Sequence, residues 1–193
     1  MKKAFSLMLT FLFVLSILFC FAFVSSAETV TGTCGDSAVW TYDSDTKTLT
    51  ISGTGSTADY LGPDPSVPEF YYRAKPWDAY VGGIESVVVE EGITRIGDAV
   101  LMEYPALTSV SLPSTLAELG KNNILNCNVL TALTLPEGLE VIGASSVSGC
   151  WYLGELYIPS TLREVHWGAL MYLNNLVNDP SEQNDLNIYY SGT

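Results

Sequence analysis

Apolar residues recur along the second half of the chain at every 23rd position. Written in rows of 23 from residue 84, residues 84–175 give four rows, and six columns are apolar in every row. These columns are Ile84/Leu107/Leu130/Leu153, Val87/Val110/Leu133/Leu156, Val89/Leu112/Leu135/Ile158, Ile93/Leu116/Leu139/Leu162, Ile96/Leu119/Ile142/Val165 and Leu101/Ile124/Val147/Leu170. A single amphipathic segment does not sustain one period of this length, so the pattern predicts four structural repeats.

Each row opens with the spacing Leu-x-x-Leu-x-Leu, which is typical of a short β-strand that turns alternate residues inward. One row cannot bury those residues alone, but rows stacked at about 4.8 Å, the spacing of strands in a sheet, form a continuous core. Prolines follow the third column and glycines the fifth in three rows each, at Pro113, Pro136 and Pro159 and at Gly97, Gly120 and Gly143. We interpret the prolines as strand ends and the glycines as tight corners. The predicted fold is a β-rich leucine-rich-repeat solenoid with short helical or irregular arcs, and residues 176–193 are expected to be a partial terminal repeat.

Residues 28–83 precede the repeats, and we predict that they form an N-terminal cap, because a solenoid exposes its core at each end. Residues 38–53 alternate around a polar turn, which indicates a β-hairpin. Residues 54–83 contain four prolines and six aromatic residues. We favour a lid packed on the first repeat, and the alternative is a loop that stacks on sugars.

Residues 1–27 have the pattern of a secretory signal peptide. Lys2 and Lys3 precede an apolar run over residues 4–24, and the small residues that follow favour cleavage after Ala27. The alternative is an uncleaved membrane anchor, because the run is long enough to span a bilayer. Without the two lysines, the formal charge of −13 becomes −15, from 21 acidic and 6 basic residues. We therefore expect a secreted or cell-surface protein that does not bind nucleic acid. We also expect no membrane insertion after signal cleavage.

Neither a catalytic constellation nor a metal-ligand spacing is visible in the sequence, so we predict no enzyme activity, no cofactor and no metal. The single histidine, His166, lacks an accompanying nucleophile motif. Cys34, Cys127 and Cys150 do not form Cys-x-x-Cys pairs. Cys127 and Cys150 are one repeat period apart, in one column of adjacent rows, which is close enough for a disulfide. We favour instead a ladder of small buried side chains, because the third cysteine has no evident partner.

Row Leu130–Gly143, followed by Gly149-Cys150, resembles the BspA-like (Treponema-type) bacterial leucine-rich repeats. Segments 31–35 and 48–55 are similar to the cap that precedes such arrays. The resemblance implies a secreted or surface-displayed bacterial protein that acts in adhesion and protein binding. This chain departs from the common repeat in having proline where asparagine or cysteine is usual, so an asparagine ladder is not expected. It also has His166 where the other rows have glycine, and a shorter array than is usual.

Residues between the apolar columns point to the outer face of the strands, which is the concave side of a leucine-rich solenoid. The predicted ligand-binding residues are Ser109, Ser111, Thr134, Glu155, Tyr157 and, in the connecting arc, Trp151. We expect this adhesin-like face to bind an extracellular protein or glycan; the last-row aromatics alternatively cover the open end of the core. A second hypothesis is a structural envelope or matrix module that self-associates through the strand at Tyr189-Tyr190.

Overall fold

The computed structural model describes residues 28–63, 70–173 and 187–191. The predicted signal peptide and most of the predicted partial repeat lie outside these residues. Within them, short strands alternate with turns. The strands are β1 (Thr29–Thr33), β2 (Ala38–Asp43), β3 (Thr48–Gly53), β4 (Gly55–Ser56), β5 (Leu61–Pro63), β6 (Phe70–Tyr72), β7 (Ser86–Val89), β8 (Ile93–Ile96), β9 (Ser109–Ser111), β10 (Glu118–Leu119), β11 (Ile124–Leu125), β12 (Ala132–Thr134), β13 (Val141–Ile142), β14 (Val147–Ser148), β15 (Glu155–Ile158), β16 (Glu164–Val165) and β17 (Asn187–Tyr190). A 3-10 helix spans Asp78–Gly83.

Parallel ladders join residues that are one repeat period apart, so each sequence repeat forms one coil of a solenoid. In the second sheet, with strand order β16-β13-β10-β8-β4, Leu119 pairs with Ile96 on one side and with Ile142 on the other. The strands that open the coils form a first side, which is divided into two sheets, β1-β2-β3-β7-β9 and β12-β15-β17. The second sheet forms the second side, and the short pair β11-β14 forms a third side. The predicted leucine-rich-repeat solenoid is therefore confirmed.

The apolar columns form one continuous core along the stacked coils. Residues of the first three rows are buried or half-buried in every column, because the next coil covers them. In the fourth row Val165 is 50% exposed, and its strand β16 is the last of the second sheet within the described chain. Burial therefore follows the stacking of the coils as the repeat pattern predicts.

The N-terminal region contains a coil of its own in addition to the predicted hairpin. Strands β2 and β3 pair antiparallel, as the alternation over 38–53 indicated. Strand β3 then pairs parallel with β7, placing Leu49 beside Val87, and β4 pairs parallel with β8. Leu49 and Val87 are farther apart in sequence than one repeat period, because an insertion separates them. This insertion includes the β5–β6 hairpin. It moves the N-terminal coil out of the 23-residue register, so the repeat pattern of the sequence does not include that coil.

Aromatic side chains on both sides of that insertion pack onto the first coils. Trp77 is buried between Trp40 and Tyr60, with ring centroids 5.6 and 5.7 Å away. Its Nε1 donates a hydrogen bond of 2.5 Å to the Tyr104 hydroxyl. Tyr80 stacks on Tyr42 at 4.7 Å. These rings pack on the core as a lid would, whereas Tyr72 on β6 is 50% exposed and the side chains of residues 70 and 71 lie outside the described part.

The glycine column at 97, 120 and 143 serves close approach between coils, which corrects the prediction of tight corners. None of the three adopts a left-handed φ. The left-handed corners fall in two other columns, again at the repeat period. They are Ala99, Asn122, Ser145 and Gly168, with φ of 59, 51, 53 and 69°, and Glu103, Asn126, Gly149 and Tyr172, with φ of 61, 58, 66 and 56°.

Candidate functional site

The outward side chains of β7, β9, β12, β15 and β17 form one surface, which we call the front face. Five of the six predicted binding residues lie on it and are exposed: Ser109, Ser111, Thr134, Glu155 and Tyr157. Strand alternation places them there, because Val110, Leu133 and Leu156 point inward between them. Neighbouring hydroxyls are linked across coils, since Ser109 Oγ donates to Ser86 Oγ at 2.9 Å. Over β7 and β9 the front face therefore consists of small side chains, which are hydroxylated except at Val88.

A stacked tyrosine pair marks the other end of the front face. Tyr157 on β15 lies against Tyr189 on β17, with ring centroids 4.5 Å apart and an interplanar angle of 12°. The rings are 39% and 42% exposed. Partial desolvation and the neighbouring Glu155 carboxylate raise the pKa of Tyr157, so its phenol is neutral and able to donate a hydrogen bond at physiological pH. Glu155 pairs in register with Asn187, which places a carboxylate beside the rings.

Sequence reasoning missed Tyr189 as a partner of Tyr157. The separation of the two residues in sequence exceeds the repeat period, so no column of the repeat aligned them. The pairing of β15 with β17 brings them together.

Trp151, the sixth predicted binding residue, lies in a connecting turn beside the front face and not on its strands, as the sequence pattern indicated. It follows the left-handed Gly149 and precedes β15, so it lies on a turn and not on the outer side of a strand. Trp151 is 50% exposed and lines a cavity of about 520 Å³ together with Glu103, Pro105, Asn126 and Asn128. No residue of the front face lines this cavity.

The described cysteines, Cys34, Cys127 and Cys150, are free and buried, so the structure has no Cys127–Cys150 disulfide. Instead the Cys127 thiol donates to the Leu101 carbonyl at 3.4 Å, and the Cys150 thiol donates to the Ile124 carbonyl at 3.1 Å. Burial raises the pKa of Cys127 to about 12, and that of Cys34 and Cys150 to about 11. The thiols are thus neutral at physiological pH and function as small core side chains.

The second sheet holds a charged network that joins the N-terminal coil to the repeats. Arg95 donates to Asp59 and Glu118 at 2.9 Å and contacts Asp98 at 3.5 Å. Burial opposes ionisation of Asp59, but the Asp98 backbone N–H and the Arg95 guanidinium outweigh it and hold the pKa of Asp59 below its ordinary value. Arg95 thus contacts all three carboxylates, and this network stabilises the junction between the coils.

Catalytic or metal chemistry has little support in these residues. His166 pairs with Glu164, with its Nε2 3.0 Å from Oε1, on the outer side of the second sheet. Across residues 28–63, 70–173 and 187–191, no group of three or more metal-ligating side chains comes together. Over the same residues, none of the helical structure is long and apolar enough to cross a membrane.

Parallel ladders at the repeat offset, around inward columns that begin Leu-x-x-Leu-x-Leu, define a leucine-rich-repeat solenoid. Solenoids of this class present extended surfaces for binding. Residues 79–187 match the family described as "BspA type Leucine rich repeat region (6 copies)". That match covers more than half of the chain, so the protein belongs to the BspA-type leucine-rich-repeat family, as the resemblance in its rows predicted.

The same fold is found in a solved leucine-rich-repeat protein from Eubacterium ventriosum. The chain is 19% identical to that protein, with a TM-score of 0.53, over 86% of this chain and 45% of that one. It is 20% identical to a T. pallidum leucine-rich-repeat protein, with a TM-score of 0.46, over 68% of this chain and 63% of that one. A leucine-rich cell surface protein of Faecalibacterium prausnitzii shows 14% identity and a TM-score of 0.33, over 77% and 55%. The chain thus spans less than two thirds of each of these proteins, and no curated protein matches it.

Proposed function

We propose that this protein is a non-catalytic, adhesin-like binding module, secreted or displayed on a bacterial surface, whose front face binds an extracellular protein. The observation that carries the proposal is the stacked pair of Tyr157 and Tyr189 on the exposed side of β15 and β17. Membership of the BspA-type family and the sequence pattern of residues 1–27 support the location.

The tyrosine pair has the properties of an interface anchor. Tyrosine is enriched among the residues that dominate binding energy, because it buries a large ring and keeps a polar hydroxyl at its tip. Stacking at 4.5 Å fixes both rings before a partner arrives, so less side-chain entropy is lost on binding. Glu155 beside the rings supplies an acceptor for a lysine or arginine of the partner.

The rest of the front face suits a broad protein surface. Ser109, Ser111 and Thr134 are short, exposed and hydroxylated, so a partner can approach the strands closely and exchange hydrogen bonds with them. The −15 charge of the chain beyond residue 27 favours a partner with a basic contact surface. A glycan on the same face is the alternative ligand class.

Binding to an array of purified extracellular-matrix proteins tests the proposal. We expect the double variant Tyr157→Ala/Tyr189→Ala to lose about 2 kcal/mol of binding free energy, roughly 30-fold in Kd, at any protein that the parent binds. Trp151→Ala is the matched control, because it removes a half-exposed aromatic ring away from the front face. An unchanged Kd in the double variant, or equal losses in both variants, would contradict the assignment of the front face.

Self-association through β17 is the second candidate function. Strand β17 pairs with β15 on one side, and its Ile188 and Tyr190 are exposed in the described chain. An exposed strand edge with apolar side chains is a template for pairing with another chain. Sedimentation over a range of concentrations distinguishes the candidates, because a protein that remains monomeric throughout cannot act as a self-assembling matrix module.

A further inference from the structure

The Trp151 cavity is built from two columns of the repeat at the corner that precedes the front face. Pro105, Asn128 and Trp151 occupy one column in three successive coils. Glu103 and Asn126 occupy a second column, whose third member is Gly149. At about 4.8 Å per coil, Pro105 and Trp151 lie about 10 Å apart, with the shorter Asn128 between them. The result is a notch with an indole on one wall and an amide at its base.

The polar groups that line this notch have unused hydrogen-bonding capacity. The side chains of Glu103 and Asn126 are exposed, and neither makes a hydrogen bond to the described chain. Asn128 is half-buried, and its Oδ1 atom is fully buried with no partner among the described residues. Native proteins leave few buried polar atoms unsatisfied unless a water, ion or ligand supplies the partner. The notch therefore combines a half-exposed indole with three polar side chains that the fold does not use.

We propose that this notch is a subsite for a neutral pyranose ring of a glycan. The apolar C–H face of a pyranose packs on an indole, and its hydroxyls both donate to a carboxylate and exchange hydrogen bonds with amides. The cavity of about 520 Å³ lies within the range of small-ligand sites, which are apolar with a few polar groups. Because no front-face residue lines the notch, this subsite does not depend on the proposed protein-binding function.

Charge determines which sugars the subsite takes. The Glu103 carboxylate lines the notch, and the surrounding chain is strongly acidic. A sugar that bears a carboxylate or sulfate is repelled by Glu103, whereas a neutral hexose or N-acetylhexosamine is not. Glu103 is thus a specificity-determining residue in addition to a hydrogen-bond acceptor.

Ligand-observed NMR saturation transfer with defined trisaccharides tests the subsite in the full protein. The neutral probes are β-1,4-linked glucose, β-1,4-linked N-acetylglucosamine and α-linked mannose, and sialyllactose is the acidic probe. We expect saturable binding of at least one neutral probe, at least about tenfold weaker in Trp151→Ala. Glu103→Gln keeps an acceptor oxygen and removes the charge, so it should gain binding of sialyllactose, an effect that loss of structure cannot produce.

The control separates this subsite from the front face. Tyr157→Ala should bind the trisaccharides as the parent does, and a circular dichroism melt of each variant verifies its fold. The proposal is overturned if no neutral probe binds at concentrations up to about 10 mM, the weak limit of a specific site. Equal binding by Trp151→Ala and the parent overturns it as well.

Discussion

Replacing Gly143 by alanine adds one methyl group at a point where two coils approach closely on the second sheet. A Cβ built there lies 2.6 Å from the carbonyl carbon of Gly120 and 2.7 Å from the backbone nitrogen of Lys121. Both are backbone atoms of the neighbouring coil, so neither can rotate aside as a flexible side chain would. Relief requires the coils to separate, which strains the hydrogen bond of 2.7 Å from the Gly143 N–H to the Leu119 carbonyl.

The size of the effect follows from two opposing terms. Overpacking a tight contact costs about 1–3 kcal/mol, and three backbone contacts below 3.0 Å put Gly143→Ala at the upper end. Alanine also restricts the unfolded chain more than glycine does, which stabilises the folded state by about 0.4–1 kcal/mol. The net loss is about 2 kcal/mol of unfolding free energy, which lowers Tm by roughly 4–8 °C for a domain of this size.

Gly82→Ala is the matched control. A Cβ at Gly82 has no atom within 4 Å, and its φ is not left-handed. This variant should therefore be neutral or gain up to about 1 kcal/mol through the unfolded state alone. Urea unfolding followed by circular dichroism gives both midpoints, compared at a common m-value. If Gly143→Ala unfolds at the same midpoint as Gly82→Ala, the close-approach explanation of the glycine column is wrong.

Three further predictions concern the core and the charged network. The buried cysteines should resist iodoacetamide at pH 8 in the folded protein, because burial and raised pKa values keep them as thiols, and Cys34, Cys127 and Cys150 should all react in denaturant. Mass spectrometry counts the adducts, and a denatured, non-reduced sample in which only one of these three cysteines is alkylated would reveal a disulfide. Asn123→Ala should cost about 1–3 kcal/mol in urea unfolding, because the amide donates to two buried carbonyls, whereas Ser109→Ala on the front face should stay within about 0.5 kcal/mol. Asp59→Asn should cost less than about 1 kcal/mol at pH 7. The folded pKa of Asp59 lies below the unfolded value, so that contribution is present above about pH 4 and is lost as pH falls through the folded pKa. A difference between parent and variant that does not shrink as the pH is lowered below about 4 would refute the assignment.

The inward columns could be predicted from the sequence because burial acts on every coil in the same way. A residue such as Leu133 is covered by a coil on each side, so each row must supply an apolar side chain at that position. The strand ladders follow from the same repeat. The resemblance of these rows to BspA-like repeats was carried by positions that the core itself constrains, and the family match confirms it.

The corners could not be predicted, because left-handed residues at 99, 122 and 145 are an alanine, an asparagine and a serine. Stacked hydrogen bonds hold them there: the Asn122 N–H, for example, donates to the Ala144 carbonyl of the next coil at 3.0 Å. The repeat pattern did not predict the N-terminal coil, for a different reason. Its Leu49 and Ile51 alternate as in any hairpin strand, and the insertion that follows moves them out of the repeat register.

The candidate surfaces were only partly predictable, and the reason lies in how a solenoid separates its two sets of columns. Inward positions are constrained by the coil on each side, whereas outward positions such as Thr134 and Tyr157 make few contacts that the fold requires. Each outward column is therefore free to acquire its own chemistry without disturbing the core. The variable outward residues of the front face lie on the strands, and those of the Trp151 notch lie at a corner of the coils. Because the two surfaces share no side chain, substitutions at Tyr157 and at Trp151 should act on different ligands and leave the stability of the coils unchanged.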